Sequence, residues 1–269
     1  MAATFCSTTL PNGKTIFCLQ KREVDLMYRE VKEYANHGIQ IRENDTVFDV
    51  GANIGMFTLW IYDRFGPGIR VMAFEPISPV FEVLAMNIAH HRLDNAEVFP
   101  IGLSEQTGER KFSYFPRAPL ISTAYPVAWK EELGAAMLHN SGQLPPPVKW
   151  LAFLPQRLRA WLIKQLFSYL HSEVMVCPVR TLSDIIRDRN IARIDLLKID
   201  VEKSELDVLR GIEDDHWEKI RQIVVEIHDV DNRVKAVTGM LRDRGFRHVT
   251  VGEGPVLPSS NIANLYATR

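Results

Sequence analysis

Cysteine is scarce: Cys6, Cys18 and Cys177 are the only three among 269 residues. An odd, scattered set of thiols makes neither a disulfide framework nor a zinc site, and it predicts a reduced, cytoplasmic protein. Excess charge is also lacking, with Lys plus Arg totalling 32 against 33 for Asp plus Glu. No global positive field is available to recruit nucleic acid or an anionic membrane. No segment approaches the roughly 20 apolar residues that cross a bilayer. Met1 to Lys21 lacks the basic start and unbroken apolar run of a signal peptide. What remains, with 46% hydrophobic and 24% charged residues, is ordinary for a globular protein with a substantial core, read as one domain over 1–269.

Against that background one segment stands out. Val47 to Gly55 is an apolar strand that breaks into a glycine loop, and Phe74-Glu75-Pro76 follows one helix length later. Gly51 and Gly55 let the backbone turn tightly and approach a ligand, while Ile54, Phe57, Leu59, Trp60 and Ile61 carry the chain into an apolar helix. In a doubly wound sheet an acidic residue ending the second strand lies beside the first loop, where it can accept both hydroxyl hydrogens of a ribose. Dinucleotide folds share these parts, but a G-x-G-x-x-G reading from Gly51 requires glycine where Asn53 and Met56 stand. S-adenosylmethionine has no phosphate to cradle and suits the loop better. A loop that merely shapes a strand-to-helix turn is the competing structural reading.

The rest of the chain supports a parallel sheet. A ribbon over 10–19 turns at Asn12-Gly13, and a helix over about 23–36 ends at Gly38. Strands at 46–50, 69–74 and 96–100 alternate with helices at 55–64 and 78–90, and a short strand lies near 110–115. Residues 1–44 form a cap segment, and 116–175 an insertion broken by Pro145-Pro146-Pro147, with its own helix carrying Leu154, Leu158, Trp161, Leu162, Leu166 and Tyr169. Strands at 174–179, 194–200 and 221–227 then alternate with helices at 181–189, 203–212 and 231–244. A terminal hairpin, 247–251 with 262–268, adds an antiparallel strand. Sheets that bind NAD are typically all parallel, so the hairpin favours a class I methyltransferase fold.

Strand ends at the carboxyl edge, where open parallel sheets bind ligands, supply Asp49, Asp200 and His228. In Leu196 to Glu202, Lys198, Asp200 and Glu202 alternate with apolar residues and share one side, with Glu205 one helical turn beyond. Glu226 and His228 repeat the pattern on the next strand. His228 titrates near neutrality and is the candidate base for removing a hydroxyl proton, with Asp200 or Glu226 orienting it. A solvated histidine just past a strand is the plainer alternative. Asp200, Glu202 and Glu226 would also suit magnesium, although no metal is assigned, and Lys198 could simply neutralise these acids.

The chain resembles the FkbM-type methyltransferases through Phe48 to Gly55, Ala73 to Pro76, Ile194 to Glu202 and Val225 to His228. The commoner family form has glycine after Glu202, whereas here Lys203-Ser204-Glu205-Leu206-Asp207 follows. That variant, with Val179 to Ser183 and Asn264 to Arg269, is similar to the subgroup embedded in polyketide and nonribosomal peptide assembly lines. The resemblance implies S-adenosylmethionine as cofactor and oxygen methylation of an intermediate, free or tethered to an acyl or peptidyl carrier protein. It implies that Asp49, Gly51, Ala52, Asn53 and Gly55 surround the methionine part, Glu75 with Pro76 the ribose, and Gly102, Leu103 and Ser104 the adenine edge, with Asp200 beside the cofactor. It also implies that the leading helix, with Tyr28 and Glu30, covers the cofactor. For the insertion helix, with Trp161 on a broad apolar face, a substrate lid, a carrier-docking surface and an interfacial membrane helix all remain open. A noncatalytic docking module and an NAD-linked oxidoreductase are the competing functions.

Overall fold

The computed structural model describes residues 5–125, 153–169, 171–229, 231–253 and 262–269. Its first part runs β1 (Cys6–Thr9), β2 (Thr15–Cys18), α1 (Lys21–Glu30), a 3-10 turn (Glu33–Ala35), β3 (Thr46–Val50), α2 (Met56–Phe65), β4 (Arg70–Phe74), α3 (Ser78–His90) and β5 (Ala96–Phe99). Then come β6 (Gly102–Leu103), β7 (Gly108–Tyr114), α4 (Gln156–Tyr169), β8 (Glu173–Arg180), α5 (Leu182–Asp188), β9 (Leu196–Ile199) and α6 (Glu205–Arg210). The chain closes with β10 (Gln222–His228), α7 (Arg233–Asp243), β11 (His248–Glu253) and β12 (Ile262–Thr268).

Seven strands form the main sheet in the order β11-β12-β10-β9-β3-β4-β5. The five from β10 to β5 are parallel, and β12 runs antiparallel between β10 and β11. Because strand side chains alternate, Val47, Val71 and Ala73 enter one core cluster with residues of α1, α2 and α3. Their neighbours Phe48, Met72 and Phe74 enter a second with α5, α6 and α7. Covering both faces explains why these strands are almost uniformly apolar. The main sheet starts at β3, grows to β5 at one edge, and resumes at β9 on the other side of β3. Strand order therefore reverses between β3 and β9, the position at which such sheets open a ligand crevice.

Three elements differ from the sequence reading, the first being the ribbon, whose leading strand lies at Cys6–Thr9, ahead of the expected 10–19. Strand β8 does not join the main sheet; it pairs antiparallel with β7 and parallel with β6 in a three-stranded sheet. Its alternation explains this, since Val174 and Val176 are exposed while Cys177 and Val179 are buried, a one-sided pattern unlike the central strands. The leading helix ends at Glu30, short of the expected 36, and the chain tightens into the 3-10 turn. The helical stripe nevertheless persists, with Val24, Met27, Val31 and Tyr34 all buried. Pro145 to Pro147 lie outside the described residues.

The N-terminal ribbon is tied to the glycine loop through a buried side chain of α3. Asn87 of α3, fully buried, accepts from Phe17 N at 2.8 Å and donates to Phe17 O at 3.0 Å and Ile54 O at 2.8 Å. A buried amide with its groups satisfied fixes β2 against the glycine loop. That places α1, which follows β2 directly, over the carboxyl edge.

Candidate functional site

The loop after β3 is shaped by backbone demands. Gly51 has φ +76°, and a Cβ there would lie 1.7 Å from the Asp200 carbonyl oxygen. Only glycine permits that approach of β3 to the end of β9. Gly51 N and Ala52 N both donate to Phe74 O at 3.0 Å, and Asn53 sits at φ +50°, which asparagine tolerates. Glu75 is buried at the next strand end, where Oε2 accepts from Asn53 N at 3.1 Å and Oε1 from Ile77 N at 2.9 Å. Burial raises its pKa to about 7 even though those two N–H groups oppose the shift.

Beneath this loop lies Lys198, with its side chain 3% exposed. Its Nζ stands 3.0 Å from Asp49 Oδ1 and 3.5 Å from Asp200 Oδ2, and donates to Gly51 O at 2.9 Å. The rings of Tyr34 and Phe57 lie 5.4 and 5.8 Å away. Burial works against the ammonium, but Asp49 and Asp200 outweigh it and hold its pKa above the usual lysine value. Asp49 is wholly buried and also accepts from Thr58 Oγ1 at 2.8 Å. It acts behind the loop through Lys198 and does not line the cleft that opens in front of it.

The opposite wall is crowded with acids. The Tyr34 hydroxyl donates to Asp200 Oδ2 at 3.0 Å and, at 3.5 Å, to Glu226 Oε2. Glu30 faces the same group from α1, and burial followed by the charges of Asp200 and Glu202 raises its pKa to about 8. Burial, then Asp200, Glu202 and Glu30, push Glu226 well above the carboxylate range. Glu202 and Lys203 occupy successive left-handed positions, φ +48° and +78°, so the turn carrying Glu202 is strained. Its carbonyls are secured by Thr123 Oγ1 at 2.5 Å and Arg233 Nη1 at 2.6 Å, and Lys203 N donates to Glu205 Oε1 at 2.7 Å.

His228 closes this wall, but its partners differ from those expected. Nε2 lies 3.3 Å from Glu202 Oε2 and Nδ1 3.0 Å from Glu205 Oε1; neither Asp200 nor Glu226 holds the ring. The physical reason is position: α6 starts immediately after the strained turn and brings Glu205 under the end of β10, while Glu226 is turned to Tyr34. Burial works against the imidazolium, but hydrogen bonds to Glu202 and Glu205 prevail and raise the pKa to about 11. With a carboxylate at each nitrogen, the ring at neutral pH is a charged anchor for Glu202.

These walls enclose a cleft of about 1030 Å³, its open mouth included. Gly51, Ala52, Asn53, Glu75 and Pro76 line it from one side, Gly102, Leu103 and Ser104 from the next loop, and Asp200 and Glu30 from the acidic side. Gly55, Glu226 and His228 stand behind the surface. Gly55 instead starts α2 at φ +87°, where a Cβ would meet Leu84 Cδ1 at 2.8 Å. Tyr28 also falls outside the cleft: Met27, Glu30, Val31 and Tyr34 face it at helical spacing, and Tyr28 lies off that stripe, with Lys32 Nζ 4.8 Å from its ring centroid. Trp161 on α4 is 55% exposed and, among the described residues, is not part of the lining. Tyr34 and Ser204 were missed from the sequence; Tyr34 could have been found as the fourth member of that stripe. Among the described residues no group of three or more His, Cys, Asp and Glu side chains is arranged to hold a metal ion, and no helix is long and apolar enough to cross a membrane.

The methyltransferase FkbM domain model matches residues 49–248, from the buried aspartate of β3 to the start of β11. The 31-O-demethyl-FK506 methyltransferase FkbM of Streptomyces tacrolimicus is 38% identical over 97% of this chain and 95% of its own length. The AMB antimetabolite synthetase AmbE of Pseudomonas aeruginosa is 34% identical over 97% of this chain, which spans 12% of that protein. In fold, the crystal structure of a methyltransferase FkbM from Methylobacillus flagellatus superposes with a TM-score of 0.53 at 14% identity, covering 85% of this chain and 45% of that one. On the extent of these matches, the chain belongs to the FkbM methyltransferase family.

Proposed function

We propose that this protein is an S-adenosylmethionine-dependent O-methyltransferase whose acceptor is a hydroxyl of a natural-product intermediate, including one tethered to a carrier protein. The observation that carries this is the pairing of Glu75, pinned by two backbone N–H groups, with the glycine loop at the point where strand order reverses. The residues fit an adenosine-bearing donor: Glu75 keeps acceptor capacity for ribose hydroxyls, and Phe74, Ile77 and Leu103 offer apolar surface. On the same lining Ser104 Oγ is buried without a hydrogen-bond partner. The name of the Streptomyces relative gives an O-demethyl compound as that protein's acceptor, which supports oxygen as the acceptor atom here.

When bound, S-adenosylmethionine supplies an electrophilic methyl group on a sulfonium. The chain's own task is then alignment, exclusion of water and acceptance of one proton. Glu30 is the best-placed acceptor, because it lines the cleft and its pKa of about 8 lies near neutrality, where general bases work best. His228 holds Glu202 in place and acts as a positioning residue. The test is calorimetric titration with S-adenosylmethionine, followed by intact-mass detection of one added methyl on hydroxyacyl substrates, free and carrier-bound. Absence of cofactor binding would instead leave a noncatalytic docking module. Turnover that survives Glu30→Gln but collapses in His228→Gln would return the base role to His228.

A further inference from the structure

We propose that the carboxylate wall of Glu30, Glu202 and Glu226 selects the sulfonium form of the cofactor over its uncharged thioether product, releasing a proton as the charged donor binds. This rests on the methyltransferase reading above and deepens it.

The argument starts from charge at the ends of β9 and β10. Six carboxylates gather there: Glu30 from α1, Asp49 from β3, Asp200 and Glu202 after β9, Glu205 from α6 and Glu226 from β10. Among the described residues, three cations form ion pairs with them. Asp49 and Asp200 share Lys198, Glu202 and Glu205 share His228, and Arg233 stands 3.8 Å from Glu205. Among the described residues no ion pair reaches Glu30 or Glu226, and Tyr34 offers Glu226 only a hydrogen bond at 3.5 Å. Among the described residues, the other cation lining the cleft, Arg110, is taken by Asp207 at 2.5 Å and Glu105 at 3.6 Å.

Asp200 and Glu226 lie 3.0 and 3.5 Å from the same Tyr34 hydroxyl, and carboxylates crowded around one donor do not all ionise, so the wall retains protons until a cation arrives. The raised pKa values of Glu30 and Glu226 agree with that picture. A second feature points to a ligand: Ser204 Oγ is buried on the same cleft wall, 7% exposed, with no hydrogen-bond partner. The donor and its product share adenosine, ribose and amino acid, and differ by a methyl group and one positive charge. Contacts from Glu75 and the glycine loop therefore cancel between them, and the acidic wall remains to tell them apart. In the linked step a carboxylic O–H bond breaks, its electron pair stays on the carboxylate, and the proton leaves to solvent. Loss of that proton also prepares Glu30 to accept the next one from the substrate hydroxyl.

Calorimetric titration of the whole chain with S-adenosylmethionine, and separately with S-adenosylhomocysteine, tests this in buffers of different protonation heat. The range is about pH 5.5 to 6.5, a unit or more below the titration of an α-amino group. The ratio of the two affinities should rise in favour of the donor, by up to about tenfold per pH unit for each proton released. Proton release should be larger for the donor, Glu30→Gln should flatten the slope, and Glu30→Asp should restore part of it. A wild-type ratio that does not change with pH overturns the inference and leaves the methyltransferase reading standing. Failure to bind either ligand overturns both.

Discussion

On the wall built from β3 and β4, Glu75 is held by the backbone N–H groups of Asn53 and Ile77. On the wall built from β9 and β10, Asp200 depends on Lys198 and Tyr34, and Glu202 on the His228 ring. The first wall is organised by chain conformation and the second by the balance of charged side chains. Backbone donors cannot be titrated or rotated away, so the conformation of the first wall should be insensitive to ligand charge, and its response to pH is confined to Glu75, whose pKa burial raises to about 7. The second should respond to pH, to ligand charge and to conservative substitution.

The largest effect should come from the first wall. Gly51→Ala places a Cβ against the Asp200 carbonyl at a positive φ, which neither backbone can relieve without parting β3 from β9. A loss on the order of 4 kcal/mol is expected in urea unfolding, and near wild-type stability would show that the approach of these strands does not require glycine. Lys198→Met is next: it keeps the bulk and removes the charge that Asp49 and Asp200 share. Leaving a buried carboxylate uncompensated costs about 3 kcal/mol or more. A loss below about 1 kcal/mol, typical of surface pairs, would place Lys198 among them.

Glu75→Gln separates the walls by ligand binding rather than by folding. The amide retains the shape but turns a donor toward Asn53 N or Ile77 N, so one side of the carboxylate's cradle is lost. Affinity for S-adenosylmethionine and S-adenosylhomocysteine should fall together, by roughly tenfold to a hundredfold. A selective loss of one ligand would mean that Glu75 senses charge and that the division between the walls is misplaced.

The two walls were also unequally legible. Gly51, Asn53, Gly55 and Glu75 lie within two short motifs whose spacing defines a strand, a turn and the next strand end, so local rules suffice. The acidic wall joins α1, the turn after β9, α6 and β10, separated by up to 192 residues in the Tyr34–Glu226 contact. Alternation along β9 and β10 could put acids on one side, but it could not say that Glu205 rather than Asp200 would take the His228 ring. The displaced β8 has the same origin: its residues read correctly as a strand, while the choice of β7 as partner is a long-range event. The shortened α1 reflects local propensity overridden by packing, since the Met27 to Tyr34 stripe is buried whether the chain is α-helical or 3-10.

His228 offers the gentlest way to sharpen the contrast. Its folded-state pKa of about 11 stands above the ordinary 6.5, so its stabilisation is fully present below about pH 6.5 and is lost as pH rises through 11. Replacing it with Gln removes the titration while retaining a hydrogen-bonding side chain between Glu202 and Glu205. The stability difference between wild type and His228→Gln, from urea midpoints, should therefore shrink above pH 6.5, by at most about 1.4 kcal/mol per pH unit. The Gly51→Ala deficit should change less over the same range, because its origin is the contact of an added Cβ with the Asp200 carbonyl rather than a proton equilibrium. If the His228→Gln difference stayed flat, the ring would be neutral in the folded protein and the second wall would be organised by hydrogen bonds, as the first is.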